Sequence, residues 1–486
     1  MQIYCKGVTS SYELENIARM FFPGTVPAKK YHRKEDLIVV YATARKLVVG
    51  VRWNGVCHLV KGVQPQNETQ EQALCGMLYE LLGKITGIRL PWGKLTGVRP
   101  VRIIHDRRAN GLSEQEIEDL FLKRYDCTPE KFQLAKQIAD LQRPILENRG
   151  EKDYSLYIGI PFCPSRCSYC SFVSRTMDRD QKLVQDYVDY LCEEIQATRQ
   201  QADQCGLTLK TIYIGGGTPT SLSADQLRQL METVRQCYDL SQVEEYTVEA
   251  GRPDCTDREK LDVMKEYGAT RISINPQTFS DDVLRRIGRK HTAQDILDCY
   301  DQARQAGHTN INMDLIAGLP GDTVEGFIRS LELAISLQPE NITVHTLTLK
   351  RASNLVIENR QEDYADVAQM VQECSRLAKA GYQPYYLYRQ KNTLQNLENT
   401  GWCKPGTEGY YNIYIMEEVH SILAAGAGAS TKLCQPGGDR IERIFNYKYP
   451  AEYLQGFEEI LRRKQGVSEF YARYLDPQTD GGNQPD

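Results

Sequence analysis

The sequence predicts an α/β fold: a parallel sheet interleaved with helices, led by a small α+β domain and followed by a C-terminal extension. Three observations carry this. Between Tyr154 and Tyr388, six short β-rich runs ("SLYIGIP", "TIYIGGG", "YTVEAG", "TRISINPQ", "NINMDLIAGLP", "NITVHTLTL") are each followed by a helix-like stretch such as "SADQLRQLMETVRQCY" or "DREKLDVMKEYG". Polar and glycine irregularities gather where those runs end, at "FCPSRC", "GGGTP", "EAGRPD", "NPQTF" and "DLIAGLPGD". In parallel α/β folds the carboxyl ends of the strands are where ligands bind. The flanking segments lack the alternation and read as separate regions.

In chain order, residues 1–95 form the small α+β domain. Within it "LIVVYATARKLVVGVRWNGVCHLV" holds β-branched runs broken by a "WNG" turn, which predicts a hairpin or meander. A helix follows in "NETQEQALCGMLYELLGKITG", where Ala73, Leu74, Met77, Leu78, Leu81, Leu82 and Ile85 recur at three- and four-residue spacing and Gly87 supplies the stop. Residues 96–150 are a helical connector, because "LSEQEIEDLFLKRY" and "TPEKFQLAKQIADLQRPIL" each open on a Ser or Thr cap with Glu near the third helical position. Residues 151–388 carry the six strand–helix repeats. Alternation alone leaves an open doubly wound sheet and a barrel equally possible. Residues 389–486 are the C-terminal region, with a small-residue run "SILAAGAGAST" that permits close backbone approach, and a polar tail "DPQTDGGNQPD".

Composition narrows the function. At 486 residues and 41% hydrophobic content the chain is globular and long enough for more than one core. No apolar run approaches the ~20 residues of a transmembrane helix, and "MQIYCKGVTSSYELEN" lacks a signal-peptide layout, so a cytoplasmic protein is expected. A net charge of −5 disfavours nucleic acid as a partner. Fifteen cysteines, an odd number, do not read as a disulfide framework.

Three of the fifteen stand apart. In "YIGIPFCPSRCSYCSF", Cys163, Cys167 and Cys170 occupy a loop at the end of a strand. The triplet alone suits a zinc site completed by a remote His or Cys, or a coincidence in a cysteine-rich chain. It also suits three corners of a [4Fe-4S] cube, the fourth iron being left open to a substrate or cofactor. Tyr169 and "GGGTP" at 215–219 favour the open cluster.

"CPSRCSYC" followed by "GGGTPT" resembles the radical S-adenosylmethionine (SAM) enzymes. Through "YIGIPFC", "IYIGGGTPTSL", "RISINPQTF", "RIGRKHT" and "MDLIAGLPGDT" the chain resembles the oxygen-independent coproporphyrinogen III oxidase group. "YYLYRQKNTLQNLEN" and "AAGAGAST" are similar to its HemZ-type branch of coproporphyrinogen dehydrogenase-like proteins. The resemblance implies a partial (β/α)6 barrel, a [4Fe-4S] cluster on Cys163, Cys167 and Cys170, and SAM on the open iron, with a second SAM possible. It assigns SAM contacts to Tyr157, Tyr169, Gly216, Gly217, Thr218, Glu249, Gln277, Arg289, Asp314 and Thr348. It further implies an anaerobic oxidative decarboxylation of coproporphyrinogen III propionates to vinyls, with a flavodoxin or ferredoxin as electron donor. Where the oxidases carry another cysteine two residues after the third ligand, this chain has Phe172, a feature shared with haem-chaperone relatives. A haem chaperone and another radical reaction on a tetrapyrrole are therefore the alternatives. The basic pairs at Arg289, Lys290 and His291 and at Arg389 and Lys391 read as solvated faces or as receivers of porphyrin propionates. His345 in "ITVHTL" reads as a packed strand histidine.

Overall fold

The structure is a computed structural model that describes residues 1–475, except 31–34, 98, 173, 178–180, 351, 358–363, 365 and 392. Two compact units emerge, one made of residues 1–139 and 388–398, the other of residues 140–387 and 399–486. Among the described residues no helix is long and apolar enough to cross a membrane.

The first unit is built on a five-stranded sheet of β1 (Gln2–Lys6), β2 (Val26–Pro27), β3 (Leu37–Thr43), β4 (Lys46–Trp53) and β5 (Val56–Gly62), in the order β2-β1-β3-β4-β5. Strands β3, β4 and β5 form the expected antiparallel meander. Asn54 and Gly55 join β4 to β5 with φ of 50° and 78°, the pair of left-handed residues that a two-residue hairpin turn requires. Helix Gln70–Thr86 starts on a reciprocal Thr69–Gln72 capping box and stops at left-handed Gly87. Its Leu74, Leu78 and Leu82 pack fully buried with Leu14, Ile38, Val40 and Val49. Arg389 also lies in this unit. It is not a solvated receiver of propionates: only 7% exposed, it donates to the carbonyls of Leu95, Gly97 and Asn396 and stacks over Trp92.

The second unit holds an eleven-stranded sheet. Its strands are β6 (Asp153–Ile160), β9 (Thr208–Gly216), β10 (Glu245–Glu249), β11 (Arg271–Ser273), β12 (Ile311–Ala317), β13 (Asn341–Thr346), β14 (Gln383–Arg389), β15 (Glu398–Cys403), β16 (Ser421–Ala425), β17 (Ser430–Cys434) and β18 (Ile441–Phe445). A separate parallel ribbon, β7 (Phe162–Cys163) with β8 (Arg175–Thr176), frames the cysteine loop. The six strands β6, β9, β10, β11, β12 and β13 lie side by side in chain order, every pair parallel. Each crossover advances one strand in the same direction. A doubly wound sheet would reverse at a switch point, so the winding is that of a partial barrel.

Six strands leave two edges, and the segment after residue 382 covers both. On the β13 side lie antiparallel β15 and then β14; on the β6 side lie parallel β16, then β17 and β18. The "SILAAGAGAST" run is β16 and its turn, a seventh parallel strand whose place beside β6 alternation in the sequence did not reveal. Gly426 in that turn has φ 104°, and a Cβ there would stand 2.7 Å from the Tyr187 hydroxyl. The turn is held by the fully buried Glu194, which accepts from Gly426 N, Asn446 Nδ2, Tyr453 OH and Lys464 Nζ, each at 2.7 Å.

Removing one partner of such a buried network leaves the others uncompensated. Glu194→Ala is expected to cost about 3–5 kcal/mol in urea denaturation, and an unchanged midpoint would contradict the role given to the carboxylate. His420, fully buried and stacked 3.8 Å from Tyr414, is pushed down to about 3 by burial and then by Arg149, Lys210 and Lys432. The unfolded chain takes up that proton below its ordinary value of about 6.5, whereas the folded chain does not, so stability falls as pH drops. The expected loss is about 2 kcal/mol between pH 6.5 and 5, and His420→Gln should show a shallower slope in thermal melts over that range.

Candidate functional site

Strand alternation and the helical cover bury nearly every side chain of the six parallel strands. Each strand carries, or is directly followed by, a half-buried polar group: Tyr157 within β6, Tyr213 within β9, Glu249 at the end of β10, Asn275 just past β11, Asp314 within β12 and His345 near the end of β13. Joined by hydrogen bonds, an ion pair and ring stacking, and each still partly accessible, they define the polar lumen of the sheet. Glu249 accepts from the Tyr213 hydroxyl and from Asn275 Nδ2 at 2.7 Å. Asp314 accepts from Asn312 Nδ2 at 2.8 Å and lies 3.5 Å from His345 Nε2. Gly215 makes room for this set, since a Cβ there would stand 2.7 Å from the Tyr213 ring and 3.5 Å from the Glu249 side chain.

The two carboxylates divide one charge between them. Burial and then the neighbouring Asp314 push Glu249 up to about 7. Burial also opposes ionisation of Asp314, but His345 and Asn312 outweigh it and hold Asp314 below the usual carboxylate range. His345, although burial works against its charge, is raised by Asp314. His345 sits in β13 with most of its side chain covered, and beyond the expected packing it pairs with Asp314 while keeping 27% of its side-chain surface exposed.

The cysteine loop follows directly on β6 and is tied to this set by Arg289, which donates to Asn275 O and to the Tyr169 hydroxyl. Cys163 and Cys167 are buried and Cys170 is half-buried. The loop is fastened on several sides: Ser168 N donates to Ile287 O at 2.9 Å, Leu355 N donates to Ser168 O at 3.1 Å, and Ser165 Oγ donates to Gly288 O at 3.1 Å. Burial pushes the Cys163 and Cys170 thiols up, Cys170 to about 11, so a metal must displace their protons on binding. Among the described residues no three His, Cys, Asp or Glu side chains converge on a single-ion position.

The other sequence-predicted residues fall into two groups. Gly216, Gly217 and Thr218 back the cysteine loop: Gly217 N donates to Ile160 O at 2.6 Å, Thr218 N donates to Phe162 O at 2.7 Å, and Thr218 Oγ1 approaches Cys163 Sγ at 3.5 Å. Tyr169 and Arg289 meet at 3.3 Å beside that loop. Arg289 also donates to the carbonyls of Asn275 and Gly251. Arg289 and His291 are 7% and 4% exposed and only Lys290 is exposed, so this run is not a solvated face. Gln277, left-handed at φ 69°, bridges through its backbone to Asp314 and Ile316. Thr348 donates to Thr346 O at 3.3 Å. Sequence reasoning missed Asn275, Tyr213 and Arg252. The last lies in the quoted "EAGRPD" run, and an arginine one residue past a strand's glycine was the available signal.

A Cβ at Gly217 would stand 2.5 Å from Phe162 O and 3.0 Å from Cys163 Sγ. Gly217→Val is expected to lower iron and sulfide uptake in anaerobic reconstitution at least several-fold, and uptake equal to wild type would contradict the packing of this turn on the loop.

A family model described as the radical SAM superfamily matches residues 157–334. The chain is 41% identical, over 96% of its length and 97% of the relative, to the oxygen-independent coproporphyrinogen-III oxidase-like protein HemZ of Bacillus subtilis. It is 36% identical to the heme chaperone HemW of the same organism over 66% of this chain and 88% of that one. The solved structure of coproporphyrinogen III oxidase (HemN) from Escherichia coli, described as a radical SAM enzyme, superposes with a TM-score of 0.51 at 22% identity, covering 66% of this chain and 72% of the other. The fold, with its six parallel strands and three-cysteine loop, agrees with these similarities. The chain belongs to the radical SAM superfamily and, within it, to the oxygen-independent coproporphyrinogen-III oxidase-like proteins.

Proposed function

We propose that this radical SAM enzyme acts on coproporphyrinogen III, converting propionate side chains to vinyls by oxidative decarboxylation without oxygen. The observation that carries the reading is a three-cysteine loop opening beside a lumen with one polar side chain per strand. In this reading Cys163, Cys167 and Cys170 hold the [4Fe-4S] cluster. With SAM bound, that cluster supplies hydrogen-atom abstraction. Glu249, once ionised, would accept from the SAM ammonium, and the half-buried Gly216 and Gly217, without side chains, would leave room alongside. Asp314, kept ionised by His345, accepts from ribose hydroxyls, and Tyr157 closes the lumen wall. A second SAM at Gln277 and Arg289 would require Arg289 to release Tyr169, whose hydroxyl it now meets.

The rest of the reading follows from this chemistry. A flavodoxin or ferredoxin donates the electron, and the free cysteines require a reducing compartment, the cytoplasm. The acidic balance of the chain disfavours nucleic acid as a partner.

A second reading, haem delivery, is favoured by Phe172, which stands 64% exposed where a further cysteine would serve the oxidases, and by the similarity to the heme chaperone HemW. Anaerobic incubation of reconstituted protein with coproporphyrinogen III, SAM, reductant and an electron acceptor is expected to yield vinyl product and 5'-deoxyadenosine. Tight haem binding without either product would replace this reading with delivery. SAM affinity is expected to rise about fivefold from pH 6 to 7 as Glu249 loses its proton; equilibrium dialysis should show that rise flattened in Glu249→Gln.

A further inference from the structure

Arg252 is buried to 4% exposure directly behind the cysteine loop. Its five donors are nearly all directed. Nε and Nη2 form a two-pronged pair with Asp254 at 2.9 and 2.7 Å, Nη2 donates to Ser165 Oγ at 2.9 Å, and Nη1 donates to Ser165 O at 3.2 Å and reaches Cys167 Sγ at 3.6 Å. Asp254 is in turn met at 3.4 Å by His291, whose side chain is fully buried. The guanidinium is thus aimed by a carboxylate at one particular sulfur. A second cation, Arg289, also reaches Cys167.

A cluster's reduction potential depends on its net charge, its burial and the hydrogen bonds to its sulfurs. An added electron has to be accommodated in a site from which water is largely excluded, where a fixed positive charge acts strongly. We propose that Arg252 is a positioning residue that raises the cluster's potential by holding a guanidinium on the Cys167 sulfur, and that Asp254 sets the strength of the effect by partly cancelling its charge. The step concerned is the gain of one electron by the oxidised cluster from an external reductant, with no bond made or broken. The inference rests on the reading of Cys163, Cys167 and Cys170 as ligands.

The test is a dithionite titration of anaerobically reconstituted full-length protein with mediator dyes, following the reduced cluster by electron paramagnetic resonance. At the poise where wild type is half reduced, Arg252→Met is expected to show an oxidised-to-reduced ratio at least tenfold higher, equivalent to about 59 mV for one electron. Arg252→Lys, which keeps the charge without the fork, should fall between the two. Asp254→Asn, which keeps the guanidinium and removes its counter-charge, should move the ratio the opposite way, at least threefold lower. A clamp that served only to hold the loop would make both variants lose iron and would give no opposed shifts. An Arg252→Met ratio within twofold of wild type, or an Asp254→Asn ratio unchanged or raised, overturns the proposal. Should Arg252→Met not retain iron, the direction of the Asp254→Asn shift decides alone. Failure of the wild type to take up iron and sulfide would instead refute the ligand assignment, before any potential is measured.

Discussion

The site depends on the pairing of two carboxylates with one histidine inside a sheet whose other side chains are almost all buried. Glu249 and Asp314 cannot both be charged there without a cation, because their repulsion is scarcely screened. His345 supplies that cation to Asp314 and leaves Glu249 poised near neutrality. In the proposed reading that division would suit a ligand with positive charge near β10 and hydroxyls near β12. The residues that would otherwise fill this space are small: Gly215 admits the Tyr213 ring, and Gly217 admits the cysteine loop. Pocket and cluster loop are two faces of a single omission of side chains at the end of β9.

The lumen survives only because the edges of the six-stranded core are covered. Strand β16 extends the sheet beyond β6, and its turn is fixed by a buried glutamate that gathers four donors from distant parts of the chain. On the opposite edge β15 runs antiparallel to β13. An unsealed parallel edge would expose the ladder and admit water behind the cluster loop. The C-terminal hundred residues thus cover both edges of the six-stranded core.

Much of this was legible in the sequence, for physical reasons that differ by element. The six strands showed themselves because strand and helix periods alternate cleanly, whereas their order did not, since alternation is the same in an open sheet and a barrel; Gly87 and the Asn54–Gly55 turn announced themselves by residues that left-handed backbone demands. The cysteines were found by spacing. The pairing of His345 with Asp314 was not legible, because the two lie on different strands and only the alignment of β12 with β13 brings them together. Arg389 was misread because a basic residue beside a lysine looks exposed, whereas its partners are carbonyls almost three hundred positions earlier in the chain. Strand β16 escaped notice because alanine and glycine carry neither period.

Arg389 also bears on how this architecture is inherited. The stretch 388–398 leaves the barrel unit between β14 and β15 and becomes part of the N-terminal unit, where Arg389 binds the carbonyls of Leu95 and Gly97 and Glu398 accepts from Trp92 and Lys131. A barrel stripped of the first 139 residues would lose the carbonyls of Leu95 and Gly97 from Arg389, and Trp92 and Lys131 from Glu398, on a short connection between two of its strands. The N-terminal unit is thus interrupted in sequence but indivisible in substance. A lineage that gained or lost it had to rewrite the β14–β15 connection in the same event, and that connection is where a shorter relative should show its scar.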